Sequence, residues 1–144
     1  MFELTSVTTY QAGVYQSRAY RQLKVLKNRI LEPHGLTMMQ WSVLGFIYDS
    51  GKNGVRITAL AKSLDTTQAF ITNTVNALES KGLVMRTLDA HDKRASAVTL
   101  KPEHKQLVQK IEIEVRAELR KELYSKVTPE ELKTYVNVLT KFSQ

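Results

Sequence analysis

Residues 57–100 read ITALAKSLDTTQAFITNTVNALESKGLVMRTLDAHDKRASAVTL, and the fold is decided there. Ile57, Leu60, Ala61 and Leu64 recur at i, i+3, i+4 and i+7, the spacing of one apolar helix face over about two turns. Asp65 and Thr66 interrupt that period. Thr67 is placed to cap a second helix, whose apolar side is Ile71, Val75 and Leu78 and which stops at Lys81-Gly82, a basic residue followed by a glycine. Then the period changes. Residues 83–88 and 95–100 are short runs containing Val, Thr, Leu and Met on either side of a polar tip, Asp89 to Arg94, which is the pattern of a β-hairpin.

A short helix, a tight turn, a second helix and a hairpin follow the order of a winged helix-turn-helix, in which the second helix enters a major groove and the hairpin reaches along the backbone. At about 100° per residue, Ile71, Val75 and Leu78 face inward while Ala69, Thr72, Asn73 and Asn76 face outward, with Thr67 and Gln68 at the helix start. That outer face is small, polar and uncharged. Carboxamides can pair bidentately with adenine N6 and N7, and threonine methyls can meet thymine methyls, so the face has base-reading chemistry. The competing reading is a solvated polar helix face. On the hairpin, Lys93 and Arg94 project from a two-stranded support toward phosphates or a narrow groove, and Arg86 adds charge at the base of the wing. A solvated charged turn is the alternative there.

The flanks are helical. Ala12, Tyr15, Ala19, Leu23, Leu26 and Ile30 predict a long amphipathic helix over about 8–31, stopped by Pro33 and Gly35. Thr37 followed by Gln40 is a capping box that opens a helix carrying Trp41, Leu44, Ile47 and Tyr48. Pro102 suits the first turn of a fifth helix carrying Leu107, Ile111, Val115, Leu119 and Leu123. Thr128 and Glu131 form another capping box, before a last helix with Leu132, Val136, Leu139 and Phe142. The apolar stripes of the first and last two helices exceed what one 144-residue chain can cover, which predicts a homodimer. The expected fold class is mainly α with a small β-hairpin wing, in a single domain 1–144. Residues 37–100 form the winged helix-turn-helix lobe, and 1–33 with 102–144 the dimerisation helices.

Composition narrows the partner. Lys and Arg total 21 against 14 Asp and Glu, a net charge of +7, which favours a polyanion. The apolar run Trp41 to Tyr48 is far shorter than the ~18 residues of a membrane span, and the amphipathic helices carry mixed charge on their polar faces instead of a Lys/Arg-rich one. No membrane partner is expected. MFELTSVTTY has no basic region followed by an apolar one, so no secretory signal is expected and a cytoplasmic location is. There is no cysteine, which excludes disulfides, thiolate zinc sites and thiol redox sensing. His34, His91 and His104 show no ligand spacing, so neither a metal nor another cofactor is expected. No GxSxG, GxGxxG, P-loop or HExxH motif is present, and the chain is not expected to be an enzyme.

The run Leu60-Ala61, Leu64, Ile71-Thr72, Val75, Leu78-Glu79, Lys81-Gly82-Leu83-Val84, Arg86, Asp89, Asp92-Lys93-Arg94-Ala95, Val98 and Leu100 resembles the MarR family of bacterial and archaeal transcription regulators. The resemblance extends over nearly the whole chain. It implies a regulator, most often a repressor, that binds pseudo-palindromic double-stranded DNA as a homodimer joined through its first, fifth and sixth helices. It also implies that Arg94 enters the minor groove while Asp92 holds the wing in place. A ligand crevice between the dimer interface and the DNA-binding lobe is implied as well. Tyr10, Tyr15, His34, Met38 and Trp41 are its candidate lining, for a small apolar or aromatic effector; ordinary packing of those side chains is the alternative. The chain departs from the family where basic residues are frequent, at Gln68, Asn73 and Ala77, so its recognition helix is unusually uncharged. It departs again at Lys101 and His104, where the fifth helix should start. The rival reading is a winged-helix protein-interaction or RNA-binding module without operator specificity.

Overall fold

A computed structural model describes residues 6–89, 91, 92 and 94–144. Its helices are α1 (Thr9–Leu31), α2 (Met38–Asp49), α3 (Ile57–Ser63), α4 (Gln68–Ser80), α5 (Lys105–Glu122) and α6 (Pro129–Phe142), and its strands β1 (Val84–Leu88) and β2 (Ser96–Leu100). The fold is mainly α with one antiparallel hairpin, as expected.

The helix starts follow from local chemistry. Gln40 N–H donates to Thr37 Oγ1 at 3.1 Å, and Thr37 N–H donates back to Gln40 Oε1 at 3.2 Å. The same reciprocal box opens α6, with Glu131 N–H to Thr128 Oγ1 at 3.1 Å and Thr128 N–H to Glu131 Oε2 at 2.9 Å. Each box satisfies two backbone donors that a helix start leaves without intrahelical partners. The fifth helix begins later than Pro102 suggests. Pro102–His104 form a tighter 3-10 turn, closed by His104 N–H donating to the Lys101 carbonyl at 2.9 Å, and α-helical geometry starts at Lys105. Closure over three residues at a helix entry is a common alternative to a first α turn.

The chain forms two compact units, one of Leu31–Ile113 and one of Met1–Ile30 with Glu114–Gln144. The first is built around Val43, Leu44 and Ile47 of α2, Leu60 and Ala61 of α3, and Ile71, Val75 and Leu78 of α4. Val84 and Val98 of the hairpin join this core. β1 and β2 pair with Val84 opposite Leu100 and Leu88 opposite Ser96. Val55 extends the sheet on the far side of β2: its N–H donates to the Val98 carbonyl at 3.0 Å and its carbonyl accepts from Val98 N–H at 2.8 Å. Ala97, Val98 and Thr99 are buried consecutively, without the alternation of a strand covered on one face. Lys81, at the end of α4, donates through Nζ to the Gly35 carbonyl and, at 3.0 Å, to Gln40 Oε1.

The second unit buries Leu26, Val115 and Leu119, and Arg29 Nη1 lies 2.8 Å from Glu118 Oε1. Much of its apolar surface stays open. On α6, Tyr135, Val138, Leu139 and Phe142 fall at i, i+3, i+4 and i+7, hence on one side of the helix, and all four are exposed, Phe142 by 80%. The first half of α1 is exposed as well, including Ala12, Tyr15 and Ala19 of its predicted stripe.

Candidate nucleic-acid interface

Thr67 fixes where α4 begins, its Oγ1 accepting from Phe70 N–H at 3.1 Å. From that start, Gln68, Ala69, Asn73 and Asn76 are exposed and Thr72 is half-buried, while Ile71, Val75 and Leu78 are fully buried. Thr74 turns inward, donating from Oγ1 to the Phe70 carbonyl at 2.9 Å, which keeps a second hydroxyl off the outer face. Phe70 is half exposed at the edge of this face.

The wing is held by a carboxylate that sequence reasoning gave no role. Asp89 Oδ1 accepts from His91 N–H at 2.8 Å and from Asp92 N–H at 2.9 Å, the side-chain-to-backbone turn typical of Asp. Asp89 Oδ2 accepts from Arg56 Nε at 2.9 Å. The Arg56 hydrogen bond, reinforced by the two backbone donors, holds the Asp89 carboxyl well below the usual carboxylate range, and Asp89 in turn raises Arg56. Arg56 Nη2 also lies 3.9 Å from Asp92 Oδ2. Asp92 Oδ1 accepts from Arg94 N–H at 3.0 Å, with Arg94 Nε at 3.5 Å from the same oxygen. The tip is therefore a relay, Arg56 to Asp89 to Asp92 to Arg94, ending in a side chain that is 93% exposed. Lys93 lies outside the described residues.

Arg86, at the base of the wing, turns toward α4. Its Nη2 donates to Asn76 Oδ1 at 2.6 Å, and its Nε lies 3.8 Å from Glu79 Oε2. Wing and helix are thus joined through two of the residues predicted to meet DNA. Arg56 and Glu79 were missed by sequence reasoning. Asp89 could have been found from its place ahead of the tip, since an Asp before a polar turn is a ready acceptor for backbone N–H groups.

The candidate crevice residues divide between the two units. Tyr10 and Tyr15 are exposed on α1, by 74% and 52%. His34, Met38 and Trp41 are half-buried in the other unit, His34 in a 3-10 turn and the other two on α2. No cluster of three or more metal-ligating side chains occurs among the described residues, and none of their helices is long and apolar enough to cross a membrane.

A helix-turn-helix of α3 and α4 with a braced two-stranded wing defines a winged-helix DNA-binding protein. The model of the MarR family matches residues 34–95, which span α2 to the wing tip. Solved structures share the fold over most of the chain. A DNA complex of MepR from S. aureus is 26% identical, with a TM-score of 0.74 over 95% of this chain and 97% of that one. A mutant of MarR from E. coli in complex with operator DNA is 26% identical, with a TM-score of 0.78 over 90% and 91%. CouR from Rhodococcus jostii RHA1, bound to p-coumaroyl-CoA, shares the fold at 23% identity, with a TM-score of 0.83 over 95% and 94%.

Proposed function

We propose that the protein is a cytoplasmic homodimeric repressor that binds pseudo-palindromic operators, with α4 in the major groove and Arg94 in the adjacent minor groove. The observation that carries this reading is the braced wing, which ends in an Arg94 side chain that is 93% exposed, together with the uncharged polar outer face of α4. In this reading Thr67, Gln68, Ala69, Thr72, Asn73 and Asn76 lie against the bases and sugar-phosphate edges. Lys93 and Arg94 supply wing contacts, Arg86 adds charge at the base of the wing, and Asp92 is structural. Residues 37–100 act as the DNA lobe, and 1–33 with 102–144 as the dimer stem. The exposed apolar side of α6 supports a second copy of the chain as its cover, since large exposed apolar patches mark interaction surfaces. The DNA complexes of MepR and MarR support the nucleic-acid partner, and the p-coumaroyl-CoA bound by CouR is in keeping with a small apolar or aromatic effector. Such an effector would release DNA by altering the separation of the two recognition helices.

Selection of bound fragments from a random duplex pool tests the reading. The expected product is a palindrome whose half-sites lie about 34–36 Å apart, one turn of DNA. Arg94→Ala is expected to weaken binding to many sequences alike and to flatten the salt dependence by about one unit of slope. Asn73→Ala should instead relax the preference at one or two base pairs and keep the slope. Recovery of no preferred duplex would leave the protein-interaction or RNA-binding reading in its place.

A further inference from the structure

The contact between Arg86 and Asn76 has a polarity. A guanidinium only donates hydrogen bonds, so the carboxamide atom 2.6 Å from Arg86 Nη2 is necessarily the oxygen. The bond is charge-assisted, and such bonds bias a two-state choice by roughly ten- to a hundredfold. Turning the Asn76 amide over would set its NH2 group against a cation, donor facing donor. The guanidinium is itself held in place. Arg86 sits mid-strand in β1 opposite Val98, and Glu79, one helical turn beyond Asn76, approaches its Nε from the same helix.

We propose, on the reading that α4 lies in the major groove, that Arg86 sets the hydrogen-bonding polarity of Asn76, so that Asn76 reads DNA as a donor through Nδ2. The base it recognises is then one that offers acceptors. Guanine presents N7 and O6 in the major groove, both acceptors. The usual asparagine partner, adenine, requires the amide oxygen to accept from N6 while the amide nitrogen donates to N7. Here a second donor would have to approach an oxygen already bound to a cation. Arg86 is accordingly a positioning residue that decides specificity without touching the base, and an operator predicted from Asn76 alone would carry the wrong purine.

The test uses the full-length dimer and the operator recovered by selection. The base pair read by Asn76 is the one whose preference collapses in Asn76→Ala. Wild type is expected to favour guanine over adenine there by about tenfold. A guanine lacking N7 should weaken wild-type binding and leave Asn76→Ala binding unchanged. Arg86→Met, which keeps the stem and removes the donors, should narrow the guanine preference to about twofold, and Arg86→Lys should retain most of it. A phosphate-binding or purely structural Arg86 would lower affinity by one factor on every base variant and leave the preference intact, which would overturn the proposal. A wild-type preference for adenine would overturn it as well. In the free protein, the side-chain amide resonances of Asn76 should shift strongly in Arg86→Met and weakly in Glu79→Gln; no shift in Arg86→Met would refute the contact. If wild type shows no sequence preference at all, the operator reading fails and takes the proposal with it. A preference that survives Arg86→Met defeats the proposal alone.

Discussion

Gly54→Ala is expected to destabilise the DNA-binding lobe by about 3–5 kcal/mol, the sum of a forbidden backbone conformation and a steric overlap. Gly54 has φ 73° and ψ −178°, a region essentially closed to residues with a side chain. A Cβ there would meet Thr99 Cγ2 at 2.8 Å, the Val98 carbonyl oxygen at 2.9 Å and Ala97 Cβ at 3.1 Å. All three belong to the buried strand β2, and one of them is backbone, so little can move aside. Val55, the next residue, makes the paired hydrogen bonds that add a third segment to the hairpin, and forcing Gly54 outward would break them. Gly51→Ala is the control. It too has a positive φ, 61°, but nothing lies within 4 Å of its added Cβ, so only the left-handed penalty of roughly 1–2 kcal/mol applies. Urea denaturation of the three proteins separates the two effects, and equal losses at both positions would show that the overlap at Gly54 is relieved at no cost.

The second large effect is expected on DNA affinity. Asp89→Ala removes the acceptor for Arg56 and for the backbone N–H groups of His91 and Asp92 in one step, leaving the chain that carries Arg94 without its anchor. Operator affinity should fall more than tenfold, because ordering the wing would then have to be done by DNA at the expense of binding energy. Asp89→Asn keeps a neutral acceptor and should lie between. The thermal transition should move much less than in Gly54→Ala, since the tip lies outside the buried core. The acid behaviour has a definite sign. Because the folded Asp89 is held below its ordinary value, its contribution is fully present above the unfolded carboxylate pKa of about 4 and is lost as pH falls through the lower folded value. Wing order should therefore be constant between about pH 5 and 8 and decline only in stronger acid. Amide exchange at Ala95, whose N–H donates to the Asp92 carbonyl, reports it directly. An affinity for operator that is unchanged in Asp89→Ala would mean that the wing does not need this lock.

The features legible in the sequence are those whose causes lie within a few residues. The capping boxes Thr37–Gln40 and Thr128–Glu131 and the cap at Thr67 each close over three residues, so helix starts could be placed to within a residue. Ile71, Val75 and Leu78 declared their burial by spacing alone, and Asn73 and Asn76 their exposure. The late start of α5 escaped because a proline at a helix entry suits an α turn and a 3-10 turn equally. Contacts between distant segments were illegible. Arg56 reaches Asp89 across a separation of 33 residues, and no local pattern pairs them. A helical wheel turns Asn76 outward but cannot show β1 bringing Arg86 alongside, so the wheel finds an amide and misses which of its ends is occupied. Gly54 reads as an ordinary loop glycine after a helix, and the reason it must be glycine is a strand that arrives later in the chain.

Gln40 has two duties. Its Oε1 accepts the Thr37 backbone N–H that opens α2 and also the ammonium of Lys81 that closes α4. A single atom thus joins the entry of one helix to the exit of another. Opening of α4 at its C-terminal end is thereby expected to be coupled to loss of the first turn of α2, so that the outer face of α4 would draw part of its rigidity from a glutamine on another helix.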